Sequence, residues 1–200
     1  MKLIALAAVS LDGVIATNGE IPWRIKEDMK HYKSLTTENI QLMGYKTYLT
    51  MPEVAFRNRQ TMVVTHNKFP YDKGRNVYYF NDTILKIVDD IRRSAAPCIV
   101  YVTGGQTIYD QMIDHCDEAI ITWVNKTFDS SIMFNDEINA KFFPINKLFS
   151  DFTEVETTDW LTSESEGATR YKIVKYERST QITKETHEED YCKGCTDCTC

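Results

Sequence analysis

Basic residues are in the minority, with 23 lysines and arginines against 29 aspartates and glutamates and a net charge of −6 at pH 7. Without a positive field the chain has little with which to hold a phosphate backbone, so generic nucleic-acid binding is disfavoured and small-molecule chemistry fits better. Long apolar runs are missing too. The longest, LIALAAV from Leu3 to Val9, falls far short of the roughly 20 residues that cross a bilayer. The single Lys2 ahead of it makes a poor secretory signal. Cysteine is scarce in the body, where only Cys98 and Cys116 precede four crowded into the last nine residues. Two isolated thiols are no disulfide framework and read as small buried hydrophobes in a reducing compartment. No internal repeat is present. What remains is the expectation of a soluble cytoplasmic protein whose 200 residues, 42% of them hydrophobic, make one domain plus a tail.

The apolar pattern then orders the elements. KLIALAAVSLDG reads as a strand buried on both faces that ends in a turn at Asp12-Gly13. VIATNGEIPW follows as a loop, with Asn18-Gly19 a strong turn signal. IQLMG, QTMVVTH, NVYYF, PCIVYVTGG and EAIITWVN read as further strands. Helices are expected from Ile25 to Leu35, near KTYLTM, over DTILKIVDDIRRS with Asp82 as candidate N-cap, and over QTIYDQMIDHC. Two alternating runs, FTEVETTDW and TRYKIVKYE, close the body as an antiparallel hairpin. Strands alternating with helices before a terminal hairpin indicate an α/β sheet, mostly parallel with an antiparallel edge. Beyond about Ser179 the chain is polar and acidic without apolar period, and is read as a tail.

One residue breaks the apolar pattern informatively. On the helix that begins at Ile25, the carboxylate Asp28 lies on the same side as Ile25 and Tyr32. Burying a carboxylate costs several kcal/mol unless it is bonded or functional, and in an apolar cleft its raised pKa would let it hold a proton near neutral pH. The competing reading is a solvated acid at the edge of a helix rich in charge, with Lys26, Glu27, Lys30 and Lys33 around it. Ligands of open α/β sheets sit at the carboxyl ends of the parallel strands, which would gather the loops 12–23, 44–46 and 103–107. Gly104-Gly105 ahead of a helix allows close backbone approach to a phosphate, although a tight turn would explain it equally well.

DGVIATNGEIPW, IKEDMKHYKSLT, LMGYKTY and VTGGQTIYDQM occur in this order and spacing, and together the chain from Lys2 to Arg178 resembles the dihydrofolate reductase family. The resemblance implies a three-layer α/β fold with a central mixed eight-stranded sheet, mostly parallel with an antiparallel C-terminal hairpin, flanked by about four helices. The catalytic domain would be 1–178 and the tail 179–200. It implies reduction of dihydrofolate to tetrahydrofolate by hydride transfer from NADPH, within one-carbon metabolism, by a monomeric cytoplasmic oxidoreductase that binds neither nucleic acid nor membrane. By the same resemblance Asp28 would bind the pterin and assist protonation at N5, supported by Thr122. Trp23 and the Ala16 to Ile21 loop would exclude water. Leu6, Ala7, Ala8, Tyr32 and Phe56 match the walls for pterin and aryl ring, and Arg59 matches the clamp for the glutamyl carboxylate, with Arg57 two residues away as the other candidate. Ala8, Ile15 and Ala16 match the nicotinamide contacts, and Gly44, Lys46, Thr47, Thr65, His66, Gly104, Gly105, Gln106, Thr107 and Ile108 match the remaining cofactor positions.

The pattern is not followed everywhere. Tyr45 stands where the family often has an arginine for the cofactor 2′-phosphate, leaving Lys46 and His66 as the nearby cations, and Gln106-Thr107 replace a commoner Gly-Arg pair. SLDGVIA and GYKTY also resemble the riboflavin-pathway reductase that acts on a ribosylated aminopyrimidine, though the Pro-Trp and inward-acid arrangement speaks for the first family. CKGCTDCTC offers four thiolates, Cys192, Cys195, Cys198 and Cys200, as a candidate metal site in the tail, against a redox, crosslinking or unstructured thiol-rich end. A non-catalytic scaffold carrying that tail is the remaining alternative.

Overall fold

The computed structural model describes residues 1–94, 98–128 and 138–179. The four tail cysteines lie outside these residues. The central strand β1 (Lys2–Ser10) is almost wholly buried, because its side chains alternate between two covered faces. Leu3, Ala5, Ala7 and Val9 belong to the main core, whereas Ile4 and Leu6 pack with Tyr32 and Leu35 on the other side. That alternation explains why the sequence reads as a continuous apolar run.

Next come β2 (Val14–Ala16), α1 (Lys26–Thr36), β3 (Ile40–Gly44), α2 (Tyr45–Thr50), β4 (Gln60–Val64), β5 (Val77–Phe80), α3 (Ile84–Arg93), β6 (Ile99–Val102), α4 (Gln106–Met112) and β7 (Glu118–Val124). The chain continues through β8 (Lys141–Phe142), α5 (Ile145–Asp151), β9 (Phe152–Thr157), β10 (Leu161–Thr162) and β11 (Arg170–Arg178). The sheet runs β10-β11-β7-β1-β6-β3-β4-β5, with β9 also paired to β11. β9 lies along Val174–Arg178 and β10 along Arg170–Tyr171, so the two short strands share one edge and the sheet has eight positions across. β1 and β3 to β7 are mutually parallel, and β11 is antiparallel to β7. Helices α1 and α2 cover the face that carries Leu6 and Met43, while α3, α4 and α5 pack on the opposite face, giving three layers.

Five α-helices are present among the described residues, where the sequence reading expected about four. The additional one is α5, too short at seven residues to show a helical period. The stretch read as a loop after Asp12 contains β2, which pairs with β8. Asn18 and Gly19 both take positive φ, 52° and 82°, between reciprocal backbone hydrogen bonds of Thr17 and Glu20, the hairpin turn that an Asn-Gly pair favours. Asp82 is not the N-cap of α3. Thr83 is, accepting the Lys86 N–H, while Asp82 pairs with the Lys86 ammonium one turn on. The expected buried thiols divide, with Cys116 wholly buried and Cys98 half-buried.

The start of α1 matters for the site, because this helix carries Asp28. Its N-cap Ile25 has no capping side chain. The turn between β10 and β11 supplies the cap from across the chain. Ser165 Oγ accepts the Lys26 N–H at 2.9 Å and donates to the Arg24 carbonyl at 2.9 Å. Glu27 in return accepts from the Glu164 N–H at 3.0 Å and the Ser163 hydroxyl at 3.1 Å. These bonds satisfy helix-end amides that would otherwise lack partners and fix the height of α1 over the sheet.

Candidate active site

The C-terminal ends of β1 and β7 meet α1 in a cleft. Ala8 of β1 lies in register with Thr122 of β7, and Ala8 packs in one cluster with Trp23 and Ile25. Asp28 reaches this corner from the first turns of α1. It is half-buried at the cleft, and desolvation raises its pKa above the ordinary carboxylate range, partly offset by the Thr122 hydroxyl and by His31. Burial likewise holds His31 below its usual pKa, with Asp28 pulling the other way. Thr122 lowers the pKa of Asp28 without forming a well-shaped hydrogen bond. Its Oγ1, together with Trp23 Nε1 and His31 Nε2, is buried with no hydrogen-bond partner among the described residues. Thr122 and His31, which both act on this protonatable carboxyl, make a polar corner in an otherwise apolar wall.

The other end of the cleft is built differently. Tyr32, one turn along α1 from Asp28, donates its hydroxyl to Gln41 Oε1 at 2.6 Å, and burial pushes its pKa up to about 12. Arg59 is 5% exposed. Its Nε donates to Thr36 Oγ1 at 2.8 Å and its Nη1 to the Ala55 carbonyl at 2.8 Å, while its guanidinium lies 5.8 Å from the centroid of the Tyr32 ring. Nη2 makes only a 3.5 Å contact with Thr37 Oγ1, so this edge of the fork keeps its donors. Arg57 is exposed, and the structure gives Arg59 the seat beside Tyr32.

At the carboxyl ends of β3 and β6 the backbones nearly touch. The Gly44 N–H donates to the Gly104 carbonyl at 2.7 Å, and the Gly104–Gly105 peptide is cis. A Cβ on Gly104 would stand 2.5 Å from the Tyr109 ring, so only glycine fits there, and one on Gly105 would stand 3.0 Å from Thr47 Oγ1, which would have to shift. Gly44, Thr47, Gly104, Gly105 and Ile108 are thus brought together. Thr65 and His66 follow β4, the strand next to β3, with Thr65 buried and His66 and Lys46 exposed. Tyr45 stacks on Phe69 at 5.0 Å between ring centroids, offering a flat aromatic face in place of an arginine. Cations, hydroxyls and a stacking face at adjacent strand ends suit an anionic dinucleotide.

Some expected residues sit elsewhere. The Ala7 side chain points into the main core with Ile15 and Ile108, away from Leu6 and Ala8. Phe56 is built into the cluster of Met43, Tyr48 and Val63, and the residue of that turn that presents apolar surface is Val54. Gln106 Oε1 accepts the Phe142 N–H at 3.1 Å, so half of its amide ties α4 to β8. Thr65 Oγ1 accepts the Asn67 N–H at 3.2 Å. Sequence reasoning missed two residues, His31 beside Asp28 and Gln41, which is buried behind Tyr32. His31 lies three residues beyond Asp28, and Gln41 is a lone amide in an apolar strand; each spacing was a usable signal.

Comparison with known proteins agrees with this geometry. The family model for dihydrofolate reductase matches residues 2–178. The dihydrofolate reductase of Mycoplasma genitalium is 26% identical over 154 residues, covering 72% of this chain and 95% of that protein. That of Staphylococcus aureus (strain Mu50) is 30% identical over 134 residues, covering 67% and 78%. Among solved structures, dihydrofolate reductase from Enterococcus faecalis complexed with NADP(H) and RAB-propyl superposes with a TM-score of 0.70 at 22% identity, covering 90% of this chain and 97% of that one. The riboflavin-pathway reading is not favoured by these matches. With its eight-position sheet, its acid at the β1–β7 corner and a match from end to end of the described body, this chain belongs to the dihydrofolate reductase family, the oxidoreductases that reduce dihydrofolate with NADPH.

Proposed function

We propose that in this chain Asp28 holds the proton of the reduction and Arg59 anchors the far end of dihydrofolate. Bound NADPH supplies the hydride. The chain's own residues bind, orient and protonate. A dihydropterin presents an amino group and a ring nitrogen side by side, an edge that two carboxylate oxygens of Asp28 match. Thr122 Oγ1 would share in that contact, since it has no hydrogen-bond partner among the described residues. Leu6, Ala8 and Tyr32 give apolar contact to the ring, and Val54 with Phe56 behind it lines the turn toward Arg59.

Desolvation is what makes Asp28 useful. A carboxyl whose pKa lies above its ordinary value keeps a protonated fraction closer to neutrality and can pass its proton toward N5 as hydride arrives. Trp23, buried against Phe128, and the hairpin turn at Asn18-Gly19 limit water at that step. On the cofactor side, Ala8, Ile15 and Ala16 would position the nicotinamide. The seam of Gly44, Gly104, Gly105 and Ile108 with Lys46, Thr47, Thr65, His66, Gln106 and Thr107 would carry the nucleotide. A monomer and a cytoplasmic site of action belong to the same proposal. No helix among the described residues is long and apolar enough to cross a membrane.

The observation that carries the reading is the raised-pKa carboxyl of Asp28 beside Thr122, whose buried hydroxyl has no hydrogen-bond partner among the described residues. The test is NADPH oxidation with dihydrofolate by the full chain and by Asp28→Asn across pH. Turnover that falls as pH rises, and that is lost in Asp28→Asn, is the expected result. Equal turnover in both proteins would overturn it.

A further inference from the structure

Gln41 is the one side-chain amide in β3 and is wholly buried, at 0% exposure. An amide in such a place is costly unless its polar atoms are bonded. Here all of its bonding runs toward the substrate-anchoring end of the cleft. Gln41 Nε2 donates to the Ala55 carbonyl at 3.0 Å and to Thr61 Oγ1 at 2.8 Å, and Oε1 accepts the Tyr32 hydroxyl at 2.6 Å. The orientation is dictated by chemistry, because a carbonyl can only accept and the nitrogen must therefore face Ala55.

These bonds close a ring. Ala55 O also accepts from Arg59 Nη1 at 2.8 Å, Arg59 Nε donates to Thr36 Oγ1 at 2.8 Å, and Thr36 Oγ1 donates to the Tyr32 carbonyl at 2.8 Å. From Tyr32 the circuit returns through its hydroxyl to Gln41. The ring joins α1, β3, the turn before Arg57 and Arg59 itself. Gln41 is what ties Tyr32 on α1 and the Ala55 carbonyl beside Arg59 to the sheet.

We propose that Gln41 is a positioning residue for the substrate's carboxylate tail, holding Tyr32 and the Ala55 carbonyl at the separation that aims the weakly bonded Nη2 edge of Arg59 into the cleft. The inference rests on the reading of Arg59 as the tail anchor. Gln41 touches neither substrate nor cofactor. Its effect is therefore specific to substrates that carry the tail, whereas a purely structural amide would affect all substrates alike.

The experiment compares KM and kcat for dihydrofolate and for a dihydropterin lacking the benzoyl-glutamate tail, in wild type, Gln41→Met and Arg59→Lys. Methionine keeps the volume and removes both the donor and the strong acceptor. The expected result is a KM for dihydrofolate raised about tenfold in Gln41→Met, the size of one hydrogen bond to a charged group, with kcat retained and the tail-less KM moved less than twofold or so. Adding Gln41→Met to Arg59→Lys is expected to raise that KM little further, since both act through one guanidinium. If Gln41→Met folds poorly, Thr61→Val, which removes one partner of the amide and leaves Gln41 in place, is expected to give the same split at smaller amplitude. An equal change for both substrates, or no change while Arg59→Lys raises KM, would overturn the role of Gln41. No tail-dependent change in Arg59→Lys would instead overturn the anchor reading itself.

Discussion

The two ends of the cleft differ in how their polar groups are satisfied. Around Arg59 the protein completes its own hydrogen bonds, through Tyr32, Thr36, Gln41 and Ala55, and leaves one edge of a single guanidinium for a ligand. At the Asp28 end Trp23 Nε1, His31 Nε2 and Thr122 Oγ1 have no hydrogen-bond partner among the described residues, and a carboxyl is desolvated. The first arrangement is prebuilt for binding, where rigidity reduces the ordering cost of association. The second holds polar capacity and a proton for a group that changes charge during reaction, where a fully bonded carboxylate would have a low pKa and be a poor acid. Binding and proton transfer thus ask opposite things of the two ends of one cleft.

Substitutions can break or sharpen that contrast. The largest effect is expected from Asp28→Asn, with turnover at neutral pH down by at least about a hundredfold. Stability should move the other way. A carboxyl whose folded pKa is raised above its unfolded value binds protons more readily when folded. Its ionisation therefore destabilises the fold as pH climbs through that interval, with the full penalty above the folded pKa. Asp28→Asn is accordingly expected to raise Tm at pH 7, and the gain to shrink on acidification through the raised folded pKa and to be gone below the ordinary carboxylate value; thermal melts at several pH values check this. Next comes Arg59→Lys, which loses the planar fork and is expected to raise KM for dihydrofolate by about ten- to a hundredfold with kcat largely kept. Steady-state kinetics decide it, and a matching fall in kcat would erase the distinction between the two ends.

Most of the sheet was legible because β1, β3, β4, β6 and β7 are buried on both faces and so appear as unbroken apolar runs. Asp28 was legible as an acid on an apolar stripe, and Asn18-Gly19 as a turn that only permissive residues adopt. The rest depends on contacts that local pattern does not carry. Two-residue β8 and β10 exist through their partners, and α1 receives its cap from Ser165, 139 positions away. The family resemblance implies Phe56 and Ala7 as cleft walls, but strand alternation turns the Ala7 side chain to the other face and Tyr48 draws Phe56 into a separate cluster. Gln41 escaped notice because one amide in a five-residue strand has no period, and its meaning lies in Tyr32 and Ala55.

Smaller effects sharpen the same contrast. Thr122→Val removes a buried hydroxyl with no partner among the described residues, so stability is expected to hold or rise slightly while kcat falls about tenfold. Ser165→Ala withdraws the cap from the Lys26 amide, and is expected to cost about 1 kcal/mol of stability by denaturant titration with little change in turnover.

The central claim is that the Asp28 carboxyl is kept protonated beyond the ordinary carboxylate range by its surroundings. The direct measurement is a carbon-13 NMR titration of the aspartate carboxyls of the free protein, with Asp28→Asn identifying the resonance. A midpoint clearly above the unperturbed value of about 3.9 is the predicted result. A midpoint at or below that value would contradict the account, because Asp28 would then be a solvated or fully bonded carboxylate with no proton to hold.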